Sequence, residues 1–326
     1  MKALRYHEFG EPAKVLGLAE ITIPSPGPGE VLVKVHAASI NPSDMKTVQG
    51  RMGQVVFPRT PGRDFAGVVV AGDGDLIGNE IWAAGGDIGK TRDGSHAEYI
   101  VIPKGGARLK PKALTIIEAA SVGINYITAY LGLILKAGLK EGETVLVTGA
   151  RGGVGSSVIK LAKLKSARVI GVDRGLIDPK AAKQLGIDLT LSSESDDIVS
   201  RAKEFTGGQG VDVVFDCVGG PLFETALNTL GLGGRQVNIT SVGERRVSFD
   251  LIDFYHRQLT LLGVDTIPLD TVACGEILEG LRPFFEDGRL SPPIIDRTCS
   301  LDELIDAYQQ IETGGAKGKI VLLLES

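Results

Sequence analysis

From the N-terminus, apolar positions come in short alternating runs cut by Gly and Pro. The stretch 21–40, ITIPSPGPGEVLVKVHAASI, is a Pro/Gly turn followed by an alternating strand. FAGVVVAG (65–72), EIWAAG (80–85) and HAEYIVI (96–102) read the same way. Strands at this spacing predict a small barrel or sandwich. Over 114–139, LTIIEAASVGINYITAYLGLILKAGL, the period becomes helical, with Gly123 as the break between two helices.

From 143 strands and helices alternate. ETVLVTG is a strand, SSVIKLAKLKS a helix and ARVIGVD a strand. In DPKAAKQLG, Asp178 is an N-cap, Pro179 holds the first helical position and Gly186 is the stop. DLTLS, VDVVFDCVG, RQVNITSVG and LTLLGVD bring the strands to six. Continuous apolar strands separated by helices predict an α/β fold, with a doubly wound parallel sheet covered on both faces. The tail from PPIID to KIVLLL is strand, helix, strand, and can return to the first region. At 326 residues the chain exceeds what one hydrophobic core usually serves, so two domains are expected.

Composition narrows the function. With 43% hydrophobic and 23% charged residues the chain is expected to fold as an ordinary globular protein. Its net charge of −5 argues against a dedicated binder of nucleic acid or of an anionic membrane. Cys217, Cys274 and Cys299 form no CxxC pair, which excludes a disulfide framework and a thiolate zinc knuckle. MKALRYHEFGEP has no apolar signal-peptide core, and the apolar runs read as strand-sized, short of a membrane span. A cytoplasmic protein is expected.

The strongest motif is ETVLVTGARGGVGSSVIKLAK. A strand runs into Ala150-Arg151-Gly152-Gly153-Val154-Gly155 and then a helix. Ala150 stands where the first Gly of G-x-G-x-x-G would be. Gly152 lets the backbone approach a pyrophosphate, Gly155 lets the helix pack on the strand, and the helix N-terminus offers amides and positive partial charge. The next strand ends at Asp173-Arg174. Asp173 can bind a ribose 2′-hydroxyl and favour NAD; Arg174, with Lys180, can hold a 2′-phosphate and favour NADP. The motif leaves that choice open, and each residue can also sit in a solvated turn.

These segments, in this order, resemble the medium-chain dehydrogenase/reductase superfamily, and within it the zinc-free quinone oxidoreductase branch. The resemblance covers nearly the whole chain, from MKALRYHEFG and PGPGEVLVKVHAASINPSDMKTVQG through PGRDFAGVVV, GSHAEYIVIP, AASVGINYITAY and the AxGGVG loop to GKIVLLL. It implies a GroES-like barrel domain from 1–123 and 267–326, a Rossmann domain over 124–266, and a cofactor cleft between them. The zinc-dependent branch has Cys where Asn41 stands and His-Glu where Arg63-Asp64 stand, so no zinc is expected here. Members are commonly homodimers, joined through the sheet edge around VNITSV and LTLLGV.

The resemblance also implies site residues. Asn41 would lie beside the nicotinamide and donate to an oxygen gaining charge; alternatively Asn41-Pro42 starts a turn, and Ser43 or Asp44 caps the next helix. Asp44 is carried as a further catalytic candidate. Tyr126 can offer its hydroxyl to a substrate oxygen or serve only as packing. Thr128, Ser192, Cys217, Asn238, Thr240 and Lys317, in AKGK (316–319), are cofactor candidates, and Cys217 can equally be a small buried hydrophobe. Arg63 can bind an acidic group or pair with Asp64 or a backbone carbonyl. His36, His96 and His256 read as edge or surface residues.

The expected activity is NAD(P)H-dependent hydride transfer to a quinone or another conjugated carbonyl. GINYITAY and NPSD also resemble 2-enoyl thioester reductases, although QGRMGQ lacks their tyrosine. A cofactor-binding protein without turnover is the third reading.

Overall fold

The computed structural model describes residues 1–72 and 74–324. The chain divides into two compact units, Met1–Ile127 with Thr266–Ser326, and Thr128–Asp265.

The first unit is built on a mostly antiparallel sheet whose strands run in the order Ile295–Cys299, Lys319–Leu323, Glu30–Ser39, Asp64–Gly72, Glu80–Ala84, Arg108–Leu109, with Tyr99–Pro103 also pairing with Glu30–Ser39. The C-terminal strand Lys319–Leu323 sits against Glu30–Ser39, pairing Val321 with Ser39. That pairing brings the tail back to the N-terminal region. The core gathers Tyr6, Val33, Val35, Phe65, Ile81, Ile100, Tyr308, Ile320 and Leu322.

The second unit is a six-stranded parallel sheet in the order Leu189–Ser192, Arg168–Asp173, Thr144–Thr148, Val211–Asp216, Leu230–Asn238, Thr260–Gly263. Every residue of the central Thr144–Thr148 strand is buried, as a strand covered on both faces requires. The Asp178–Gly186 signals appear as expected: Asp178 accepts from Lys180 N and Ala181 N, and Gly186 ends the helix at φ 86°.

The stretch 116–136 bears out one expectation and corrects another. As expected, Gly123 breaks the helical stretch Ile116–Ala129: at φ −11° and ψ −108° it leaves the helical conformation, and two helices meet there across a kink. A π-helical stretch, Tyr130–Lys136, continues the second. The resulting 21 residues have a mean hydropathy of 1.3 in their most apolar window, long and apolar enough to cross a membrane, although 72% of that window is buried inside the protein. The apolar run is thus not strand-sized; its hydropathy is that of a helix packed on more than one side.

Candidate functional site

In the first unit, Asp64 is the hub of a buried polar cluster. Its Oδ2 accepts from Ser39 Oγ at 3.0 Å and from Asn41 Nδ2 at 2.9 Å. Its Oδ1 accepts from Ile124 N at 3.0 Å. The kink at Gly123 frees that amide from the helix, and the missing side chain makes room: a Cβ on Gly123 would lie 2.7 Å from the Asp64 carboxyl. Asn41 is held from the other end as well, because Lys319 Nζ donates to Asn41 Oδ1 at 2.7 Å and to Ile40 O at 3.2 Å. Burial pushes the Lys319 pKa down, and the Asp64 and Asp44 charges oppose it.

Asp44 lies in the helix Pro42–Val48, whose N-cap is Asn41 rather than Ser43 or Asp44. Its Oδ2 accepts from Asn41 N at 2.8 Å, while its buried Oδ1 has no partner among the described residues. Burial first, and then the Asp64 charge, raise its pKa to about 7. Near neutral pH this carboxyl can hold a proton.

His96 is not a surface residue; it is fully buried. Its Nε2 lies 3.3 Å from Ser39 O and its Nδ1 3.1 Å from Tyr308 Oη. A carbonyl only accepts, so Nε2 carries the hydrogen and Tyr308 donates to Nδ1. Burial, with Lys319 adding to it, lowers the His96 pKa to about 4 against the Ser39 bond.

The Tyr126 hydroxyl hydrogen is already engaged. The side chain is fully buried against Phe285, and its Oη donates to Ser291 O at 2.6 Å. Burial drives its pKa upward. Arg63 is likewise committed, to Gly85 O at 3.0 Å and to Thr266 O at 3.3 Å. Lys317 is exposed and uses its N–H on Asp296. It is Lys319, the other lysine of AKGK, that enters the cluster.

In the second unit, Gly149, at φ 62°, turns the chain out of the Thr144–Thr148 strand. Ala150 is buried, while Arg151 and Gly152 are exposed. A Cβ on Gly155 would collide with the Gly149 carbonyl, so only glycine lets the helix pack this close. The helix Gly153–Leu164 starts at Gly152 with no side-chain cap, and its first turn has no acidic residue. Its first amides, including those of Gly153, Val154 and Gly155, form the kind of terminus that binds phosphate. These residues fit a pyrophosphate, and with it a nicotinamide dinucleotide.

Parallel registers line up the strand ends. Ser192 pairs with Asp173, Thr148 with Val172, and Asp216 with Thr148 and Asn238. Asp173, Cys217, Asn238 and Thr240 therefore lie along one edge of the sheet with the loop. Ser192 is corrected: its buried hydroxyl donates to Arg174 O at 2.9 Å and accepts from Glu194 N at 3.2 Å, so it is spent on the turn. Cys217 is part-buried, its N–H donates to Thr148 Oγ1 at 2.9 Å, and burial then Asp216 push its thiol pKa up. Asn238 accepts from Gln236 Nε2 at 3.0 Å, and Thr128 is buried.

Known proteins carry the same pattern. Residues 27–112 match the family model for an alcohol dehydrogenase GroES-like domain, and 153–272 that for a zinc-binding dehydrogenase. A zinc-type alcohol dehydrogenase-like protein of Schizosaccharomyces pombe is 36% identical, covering 95% of this chain and 94% of its own. The 2-methylene-furan-3-one reductase of Solanum lycopersicum is 32% identical over 99% of this chain and 79% of its own. The quinone oxidoreductase of Homo sapiens is 29% identical over 99% and 98%. Among solved structures, an NAD-dependent alcohol dehydrogenase superposes with a TM-score of 0.91 at 29% identity, covering both chains fully. A mycobacterial protein complexed with NADPH gives 0.86 at 25% identity, over 99% of this chain and all of its own.

The zinc in two of these descriptions does not fit the residues present. Among the described residues no three His, Cys, Asp or Glu gather to hold a metal. Around Asn41 the groups are its own amide, the Asp64 carboxylate with both oxygens taken by hydrogen-bond donors, the Asp44 carboxyl and the Lys319 amine. Matched along its whole length to such relatives, and folded as they are, this chain belongs to the medium-chain dehydrogenase/reductase superfamily and is an oxidoreductase that uses a nicotinamide cofactor.

Proposed function

We propose that this chain is an NAD(P)H-dependent reductase of quinones or other conjugated carbonyls that works without zinc. The observation that carries the reading is the buried Asn41–Asp64–Lys319 cluster. It offers an amide fixed at both ends and a cation in a place shielded from water, which suits an acceptor oxygen gaining negative charge. The cofactor supplies the hydride. Asn41 steadies the acceptor oxygen, Lys319 holds Asn41 in orientation, and Asp44 keeps a proton within the cluster. Gly152, Gly153, Val154 and Gly155 cradle the pyrophosphate, while Thr128, Cys217, Asn238, Thr240 and Lys317 remain candidate cofactor contacts. The human relative named as a quinone oxidoreductase and the tomato relative named as a furanone reductase support this substrate class.

NADPH and NADH oxidation, followed by absorbance against an ortho-quinone, a simple enone and crotonyl-CoA, tests the proposal. Turnover of the quinone or enone is expected. Turnover of crotonyl-CoA alone would point to a thioester reductase, and cofactor binding without any turnover to a non-catalytic protein.

We further propose a cytoplasmic homodimer. The Thr260–Gly263 strand is at one end of its sheet, and Leu232, Leu251, Ile252 and Tyr255 are exposed in the same unit. Pairing two such ends hides both the edge and the apolar side chains. A monomer at micromolar concentration in light scattering would refute it.

A further inference from the structure

We propose that Arg151, in the phosphate loop, sets the cofactor preference: by pairing with and neutralising Asp173 it turns a site that would read a ribose hydroxyl into one that accepts the 2′-phosphate of NADPH. Asp173 ends the Arg168–Asp173 strand. Its Oδ2 accepts from Arg151 N at 3.1 Å and forms an ion pair with Arg151 Nε at 3.1 Å. Its Oδ1 accepts from an Arg151 terminal nitrogen at 3.2 Å and from Arg174 N at 2.9 Å. A carboxylate offers about four acceptor positions, and here protein donors take three of them while the Arg151 guanidinium pairs with its charge.

Two consequences follow. Arg151 competes with ribose hydroxyls for Asp173, holding two of its acceptor positions. The Asp173 charge is also offset, since the Arg151 guanidinium pairs with it. Arg151 is half exposed, with 49% of its side chain open to solvent, whereas the Asp173 side chain is only 15% exposed. The group presented to solvent is therefore the guanidinium, most of whose N–H donors are unused by Asp173. A planar donor fork of this kind suits a phosphate dianion. Asp173 serves as the positioning residue that holds Arg151.

The inference rests on reading the glycine loop as a dinucleotide site, and the test separates the two. Titration calorimetry on the full chain compares 2′,5′-ADP with 5′-ADP. The unaltered protein should bind 2′,5′-ADP more tightly. Arg151→Ala should reduce that ratio about ten- to a hundredfold, with 5′-ADP affinity held within about threefold, because Asp173 is unmasked. Arg151→Lys, which keeps the charge but not the fork, should fall between. Asp173→Asn should retain the preference. An unchanged ratio, a parallel loss of both ligands, or a preference for 5′-ADP in the unaltered protein would overturn the role of Arg151. Binding of neither fragment would overturn the loop reading, and this proposal with it.

Discussion

Replacing Lys319 with methionine removes a buried cation while keeping a side chain of similar reach. Its Nζ contacts Asn41 Oδ1 at 2.7 Å and Ile40 O at 3.2 Å, and the Asp64 and Asp44 charges face it. The substitution takes one positive charge from these buried acidic groups and the Lys319 donor from two acceptors. Removing one partner of a buried pair costs about 3–5 kcal/mol. In a unit of this size each kcal/mol lowers Tm by roughly 2–4 °C, so a fall of about 6–20 °C is expected. The chain has a single tryptophan, Trp82, buried in the same unit, so its fluorescence during urea unfolding reads the loss where it occurs. Because the two side chains touch, Lys319→Met and Asn41→Ala should couple by about 0.5–3 kcal/mol in a double-mutant cycle. A loss below about 1 kcal/mol, or a gain, would refute the reasoning. It would mean that burying the amine costs as much as its contacts return.

Asp44 holds its proton more tightly in the folded protein, at a pKa of about 7, than an ordinary aspartate does at about 3.9. Its stabilising contribution is full below about pH 4 and is lost as pH rises through 7. Urea midpoints should therefore move in favour of Asp44→Asn, relative to the unaltered protein, between pH 5 and pH 8. Gly123→Ala would press a Cβ against the Asp64 carboxyl and should cost about 1–3 kcal/mol, measured by the same Trp82 signal; a neutral outcome would deny the close approach. Tyr126→Phe loses only its bond to Ser291 O. It should lower stability by about 1 kcal/mol and leave kcat intact, and a collapse of kcat in steady-state assays would restore Tyr126 to the chemistry.

Much of the fold was legible because hydrophobic periodicity and turn residues are local signals. The six apolar strands and the Asp178–Pro179–Gly186 helix limits follow from side chains that act on their own backbone. The glycine loop was legible for the same reason, since its conformational demand falls on consecutive residues. His96 was misread because isolated His residues carry no mark of burial in one dimension. Lys319 was passed over for Lys317, two positions away in one short run. Only the pairing of Val321 with Ser39 decides which lysine turns inward.

By itself, then, the sequence determined two textures of structure, the dinucleotide loop and the family. Tertiary structure alone decided which polar groups meet. Asp64 gathers Ser39, Asn41 and the freed amide of Ile124, and Lys319 closes the cluster from the far end of the chain. Arg151 pairs with Asp173, at the ends of two neighbouring strands. The physical reason is that a buried charge is tolerable only beside a partner, and the partners here are separated in sequence and joined by sheet register.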